Sequence, residues 1–343
     1  MDHMRVALIG CGKVGHRHLQ ALVHDPLVDL LATVDTDPAK AAAAAVAFDA
    51  DSFADVDALL AQHRHLDGVI LATPSGTHRR LTEQLLNAGL NVLVERPMAL
   101  DADDARAMVA TAKQASRVLA VTHASRLLPS VARALDVFER GQMGEVIEGA
   151  VSVCWSRPQS YYQSAPWRGT RRMDGGVLFN QAIAALDVLL QFCGRIDEVF
   201  AYAGTVTHEI ESEDTAVGVM RADTGGLFTI TATTSVHDND LEERLTLMAK
   251  TGTVVFGPTL RQIEHWHVPD EDEDEVRQAL NDPTVPPSWK GHLEALEDFR
   301  QAVQSGVACR LSADSTVHTI EVVQALMQSA QTGCPVKIGE LTS

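Results

Sequence analysis

The sequence predicts an α/β protein: an N-terminal doubly wound parallel sheet, then a C-terminal α+β domain with a large, mostly antiparallel open sheet. Two observations carry this. Up to residue 123, short apolar runs alternate with helical stretches, the pattern of a sheet buried on both faces by crossover helices. From Glu145 onward, strand-like runs follow one another with few helices between them. The length agrees, because 343 residues are too many for one ordinary domain and suit two. The expected domains are residues 1–123 and 124–343.

In the first domain, segments 6–10, 29–35, 68–73, 91–95 and 118–122 read as buried parallel strands. Helices are expected at 14–24, 38–47, 77–88 and 101–115, the second favoured by a run of alanines. In the second domain, strands are expected at 146–155, 199–206, 215–220, 226–234, 245–248 and 254–256. Helices are expected at about 180–192, 289–304 and 315–331.

Composition narrows the function. Hydrophobic residues make up 45% and charged residues 22%, values of a globular protein. No apolar run approaches the roughly 20 residues of a membrane-spanning helix, and the start lacks the layout of a signal peptide. The net charge of −18 argues against nucleic acid and anionic membranes as partners. Five scattered cysteines read as reduced thiols, so a cytoplasmic location is expected. None of the 14 histidines falls in a metal-binding spacing, so no metal is expected. The acidic run 270–275 reads as a solvated, self-repelling loop.

The chemistry begins where the first strand ends. Gly10, Gly12 and Gly15 form GxGxxG between a strand and a helix, with Lys13 and Val14 in the turn. The first glycine permits the turn, the second lets backbone approach a pyrophosphate, and the third lets the helix pack on the strand. The helix N-terminus then faces the phosphates. The second strand ends in Asp35, where a carboxylate accepts hydrogen bonds from ribose hydroxyls and repels a 2′-phosphate. Thr36, Asp37 and Pro38 follow, with no arginine to receive such a phosphate, so NAD is expected rather than NADP.

Four stretches are more specific still: VALIGCGKVGHRHL, LATPSGTH from Leu71, NVLVERPMAL from Asn91, and YYQSAPWRGTRRMDGGVLFNQAIAALD from Tyr161. With them the chain resembles the glucose-fructose oxidoreductase / inositol dehydrogenase / MocA family over its whole length, and most of all the branch acting on sugars and nucleotide sugars. The resemblance implies a Rossmann domain and an α/β domain whose open sheet builds homodimers or homotetramers. It implies NAD(P) with its nicotinamide at the cleft between them. Thr73, Pro74, Ser75 and His78 inherit the loop that lines the cofactor. Glu95 and Arg96 inherit the strand end that approaches the nicotinamide ribose and substrate. Trp167 and Arg168 inherit a motif that approaches both cofactor and substrate. A cis bond between Arg96 and Pro97 is expected.

The catalytic positions depart from the family pattern. Arg96 stands where the family has lysine, and an arginine keeps its charge but is a poor proton donor or acceptor. On the helix that resembles the catalytic one, the acid–His–Asp positions are Asn180, Ala184 and Asp187, so the histidine that moves a proton is absent. Tyr161, Tyr162, His123 and Asp187 are the candidates to replace it, although Asp187 reads first as a structural carboxylate that holds the helix; a reaction that needs no proton from the protein is the other way to do without the histidine. Arg126, Tyr162, Arg168, Asn180 and Gln181 are candidate substrate contacts. With Arg96, Arg171 and Arg172, two of these, Arg126 and Arg168, point to an anionic small-molecule substrate, such as a nucleotide-linked or carboxylated sugar. The sequence therefore predicts an NAD-dependent oxidoreductase with altered acid/base residues acting on a sugar, a nucleotide sugar or a sugar-like natural-product intermediate. The competing reading is a non-catalytic NAD-binding regulator or scaffold.

Overall fold

The computed structural model describes residues 3–63, 65–281, 284 and 286–341. The chain begins with β1 (Met4–Ile9), α1 (Lys13–His24), β2 (Val28–Val34), α2 (Pro38–Ala45), β3 (Asp51–Phe53) and α3 (Val56–Gln62). It continues through β4 (Gly68–Leu71), α4 (His78–Asn87), β5 (Asn91–Val94), α5 (Ala102–Ala115) and β6 (Leu119–Val121). These strands pair in parallel in the order β3-β2-β1-β4-β5-β6. The order reverses between β1 and β4, and in such sheets ligands bind outside the carboxyl ends of the strands at that point. The central strands are buried on both faces: Val6, Ala7, Leu8, Val69, Ile70, Leu71, Val92, Leu93 and Val94 are all 0% exposed. Strand β3 was not expected, because Asp51, Ser52 and Phe53 carry no buried side chain to mark it, and the short α3, which buries Val56 and Leu59, was not expected either.

The remaining elements are α6 (Pro129–Glu139), β7 (Val146–Cys154), α7 (Gln159–Gln163), α8 (Ile183–Leu190), β8 (Ile196–Gly204), β9 (Thr215–Ala222) and β10 (Leu227–Thr233). They are followed by β11 (Glu242–Ala249), β12 (Thr253–Phe256), β13 (Ile263–His267), α9 (Glu273–Leu280), α10 (Lys290–Ser305), α11 (Val317–Thr332) and β14 (Val336–Lys337). The chain forms two compact units, the first of which combines Met1–Ala99, Asp103–Ala124 and Pro286–Thr316. The division differs from two consecutive halves because α10 returns to the first unit. Its apolar stripe, Ala295, Leu296, Phe299 and Ala302, is buried there. Trp289 meets the His24 ring at 4.0 Å, and Arg300 Nε donates to Asp25 at 3.2 Å.

The second unit is built on an eight-stranded sheet of order β13-β12-β11-β7-β10-β9-β8-β14. Only β7 and β10 run parallel. Alternation places Ala216, Met220, Phe228, Ile230 and Ala232 on its buried face. Helices α8 and α11 cover that face so closely that a Cβ on Gly149 would lie 2.9 Å from Leu189, and one on Gly218 2.7 Å from Leu326. On the other face Tyr202, Val217, Val219 and Leu227 remain exposed. The acidic run is only in part the expected loop. Asp272 caps α9 by accepting from the Glu275 N–H at 2.9 Å, and Glu273, Asp274 and Glu275 occupy the helix's first turn, where its dipole favours carboxylates.

One buried ion pair ties the second unit together. Asp187 on α8 is 0% exposed and accepts from Arg126 Nε and Nη2, both at 2.6 Å, and from Thr319 Oγ1 of α11 at 2.8 Å. Arg126, on the turn that precedes α6, is itself buried. Removing one partner leaves the other charge in a dry interior. Asp187→Asn is therefore expected to cost about 3–5 kcal/mol, seen as a lower urea midpoint; an unchanged midpoint would show that the pair holds nothing.

Candidate active site

The carboxyl ends of β1 and β2 make the first part of the site. Gly10 has φ +94°, and a Cβ there would lie 2.5 Å from the Ala72 carbonyl oxygen. A Cβ on Gly15 would lie 2.1 Å from the carbonyl oxygen of Gly10. Gly12 is different, because nothing lies within 4 Å of where its Cβ would be. With no side chain there, the loop stays open at that point. Gly12 caps α1 without a side-chain bond, and the first turn of α1 holds no acidic residue. The N–H groups of Lys13, Val14 and their neighbours thus form an unblocked anion site. Asp35 is held beside them, its two oxygens accepting from Cys11 N–H at 2.8 Å and Asp37 N–H at 2.9 Å. Thr36 is exposed. An open cradle with a fixed carboxylate next to it fits NAD.

The loop after β4 is tied to the end of β5. Thr73 Oγ1 and Thr77 Oγ1 are 2.7 Å apart, and Thr77 Oγ1 donates to Pro74 O. His78 lies between the carbonyl oxygens of Thr73, at 2.8 Å, and Pro97, at 2.9 Å. Burial holds its pKa below the ordinary imidazole value, while those two carbonyls act to raise it. Ser75 is buried. The Arg96–Pro97 bond is cis, and Arg96 is half-buried. The Glu95 carboxylate turns into the unit: Oε1 lies 2.8 Å from His18 Nε2 and 3.5 Å from His292 Nε2. Burial works to raise its pKa. The hydrogen bond from His18 and the electrostatic pull of His18, His292 and Arg96 outweigh it and hold Glu95 at about 2. Burial lowers His292 to about 4. His123, at the end of β6, is 1% exposed.

The second unit supplies the residues expected to face substrate. Gly175 and Gly176 both have φ +85°, and a Cβ on Gly176 would lie 2.2 Å from the Glu213 carboxylate. Burial raises Glu213 to about 7. The π-helical turn Leu178–Ala182 follows and runs into α8. It carries Asn180, whose Nδ2 donates to Asp174 Oδ1 and whose Oδ1 accepts from Gln181 Nε2 at 3.2 Å. Asp174 Oδ2 accepts from the Gly169 N–H at 2.7 Å, and burial raises this carboxyl above its usual range. Arg168 lies over two rings, 4.2 Å from the centre of Tyr161 and 4.6 Å from that of Trp167. Its guanidinium has no hydrogen bond or ion pair among the described residues, and its buried Nε is unsatisfied.

Several expected roles change with this geometry. Arg126 and Asp187 occupy each other inside the unit, which removes Arg126 from substrate contact and Asp187 from proton transfer. Gln181 is 2% exposed and serves Asn180. Tyr162 is buried, bonded through its hydroxyl to Thr234 at 2.8 Å, and pushed up to about 12 by burial, which unsuits it for losing a proton. Glu95 faces two imidazoles instead of open space. Arg171 and Arg172 are exposed. Sequence reasoning missed His18, His292, Asp174 and Glu213. Of these only Asp174, directly before the glycine pair, had a local signal.

Residues 4–123 match the model of an oxidoreductase family with an NAD-binding Rossmann fold, and residues 131–255 match the C-terminal domain model of GFO/IDH/MocA proteins. The chain belongs to the Gfo/Idh/MocA family. NAD is its cofactor. It is 26% identical to a UDP-N-acetylglucosamine 3-dehydrogenase of Acidithiobacillus ferrooxidans, over 96% of this chain and 100% of that one. It is 31% identical to a 1-carboxy-3-chloro-3,4-dihydroxycyclohexa-1,5-diene dehydrogenase of Comamonas testosteroni, over 70% of this chain and 60% of that protein's length. The WlbA dehydrogenase of Bordetella pertussis, solved with NADH and UDP-GlcNAcA, superposes with a TM-score of 0.93 at 29% identity, covering 98% of each chain.

Asp35 and its neighbours are expected to set the choice of dinucleotide. NADH is expected to bind more tightly than NADPH, and Asp35→Ser with Thr36→Arg is expected to narrow the gap. Equal affinities of the unmodified chain in a fluorescence titration would refute the role of Asp35.

Proposed function

We propose that this chain is an NAD-dependent dehydrogenase of an anionic sugar derivative, with a nucleotide sugar or sugar-like natural-product intermediate as substrate. The observation that carries the proposal is Arg168. A guanidinium stacked on Tyr161 and Trp167, felt by Asp174 but in ion-pair contact with no carboxylate among the described residues, is poised for an anion from a ligand. The relatives named for nucleotide sugars and a carboxylated ring support the same chemistry.

Oxidising a sugar hydroxyl removes a hydride, which the dinucleotide accepts, and a proton, which the protein has to receive. Arg96 holds the substrate oxygen by hydrogen bonds without exchanging a proton. Asn180, fixed by Asp174 and Gln181, orients a neighbouring hydroxyl. Tyr161, half-buried beneath the Arg168 charge, relays the proton: its hydroxyl oxygen receives the substrate's proton as its own O–H proton passes to solvent, in place of the family's histidine. Ala184 leaves room for substrate where an imidazole would stand.

The test is steady-state kinetics with a panel of nucleotide sugars and uronic acids. Tyr161→Phe is expected to lower kcat by about 10²- to 10⁴-fold. Arg168→Ala is expected to raise KM for anionic substrates by about ten- to a hundredfold. Joint restoration of Arg96→Lys and Ala184→His is expected to slow the native reaction. Acceleration by that double change would mean a site worn by drift, and bound NADH with no turnover on any substrate would favour the non-catalytic reading.

Assembly is part of the proposal. With α8 and α11 on one face of the large sheet, Tyr202, at 70% exposed, and Val217, Val219 and Leu227 form an apolar surface on the other. This face is expected to pair copies of the chain into a homodimer or homotetramer. Light scattering at micromolar concentration should report that mass for the unmodified protein and a smaller one for Val219→Lys; a monomer from the start would exclude it.

A further inference from the structure

His18, Glu95 and His292 come together inside the first unit from three distant parts of the chain. His18 stands on α1, one turn beyond the glycine loop, Glu95 directly follows β5, and His292 is in the first turn of α10. The rings of the two histidines meet edge to face, 4.7 Å between centres at 89°. One atom from each of the three side chains lies within 4.8 Å of the others, a spacing that would admit a metal ion. The remaining nitrogens decide against that. Nδ1 of both rings is buried with no hydrogen-bond partner among the described residues. A metal on Nε2 would force each neutral ring to carry its proton on Nδ1, leaving two buried donors without acceptors, whereas ligating histidines almost always donate that second N–H. A proton on Nε2 lets His18 donate to Glu95 Oε1 at 2.8 Å and places the His292 N–H 3.5 Å from the same oxygen, so that each buried Nδ1 is left with a lone pair and not with an N–H that lacks an acceptor.

The strand order says what this arrangement touches. Asp35 ends β2, the glycine loop ends β1, and Glu95 and Arg96 end β5, two strands beyond β1 on the side away from β2. A dinucleotide whose adenosine ribose meets Asp35 and whose pyrophosphate meets the glycine loop carries its nicotinamide toward β4 and β5. We propose that His18 and His292 are positioning residues that clamp Glu95, fixing the Arg96–Pro97 turn against the glycine-loop helix so that the nicotinamide end of the cofactor finds a preformed seat. The low pKa of Glu95 accords with a carboxylate that stays ionised in this clamp throughout the neutral range.

The test compares NADH with ADP-ribose, which lacks nicotinamide, by calorimetry on the full chain. Glu95→Gln and His292→Leu are expected to weaken NADH by about tenfold while changing ADP-ribose by less than about twofold. His292→Gln, whose amide N–H can replace Nε2–H, is expected to keep most of the NADH affinity. Equal losses for both ligands would reduce the clamp to general structure, and no loss for either would remove it. Added Zn²⁺ is expected to leave the melting temperature unchanged; a rise that His292→Leu abolishes would make the cluster a metal site. Should Glu95→Gln fail to fold, the two His292 variants carry the comparison. Nitrogen-15 spectra of the unmodified chain add an independent reading: both rings should carry the proton on Nε2, and a proton on Nδ1 would overturn the proposal.

Discussion

A Cβ on Gly15 would lie 2.1 Å from the Gly10 carbonyl oxygen, and one on Gly10 2.5 Å from that of Ala72. That closeness is the constraint on which the dinucleotide side depends. It lets α1 start against the end of β1 with its first N–H groups unblocked. It brings the Cys11 N–H to Asp35. It also sets His18, one turn farther along α1, at the height of the β5 terminus. A side chain at either glycine would push the loop outward and disturb all three at once.

The second unit reaches its site by a related device. Gly175 and Gly176 hold left-handed backbone, and Glu213 occupies the volume a side chain at Gly176 would need. The turn beyond them is π-helical, which adds a residue to the helix and turns Asn180 toward Asp174. Farther along the same helix, Asp187 is spent on Arg126 and Thr319. One helix therefore carries a polar end, held by Asp174, and a buried end for cohesion, with Ala184 between them.

How much of this was legible in the sequence follows from the range of each constraint. The glycine loop and Asp35 could be read because the turn, the backbone approach and the carboxylate are specified within one strand–helix–strand unit. The central strands could be read because burial on both faces leaves unbroken apolar runs such as Val92, Leu93 and Val94. Strand β3 could not, since Asp51 and Ser52 are exposed and its pairing depends on β2. The partners of charged groups were the least legible. Arg126 looked like a ligand contact because nothing near it in sequence names Asp187, and Glu95 looked open because its histidines lie on α1 and α10. The return of α10 to the first unit is equally silent, because its apolar stripe would suit any exposed apolar surface.

That return also governs the order in which the chain can mature during synthesis. Glu95 leaves the ribosome 197 positions ahead of His292. At elongation speeds of about 5–20 residues per second, that is roughly 10–40 s. During that interval the first sheet can pair all six of its strands while the groove beside α1 stays uncovered and Glu95 has only one imidazole beside it. On the proposed reading, the cofactor seat is finished only when a segment translated after seven of the eight strands of the large sheet has folded back across it. A truncation between β6 and α10 would keep all six strands of the first sheet and lack the helix that brings His292 to Glu95.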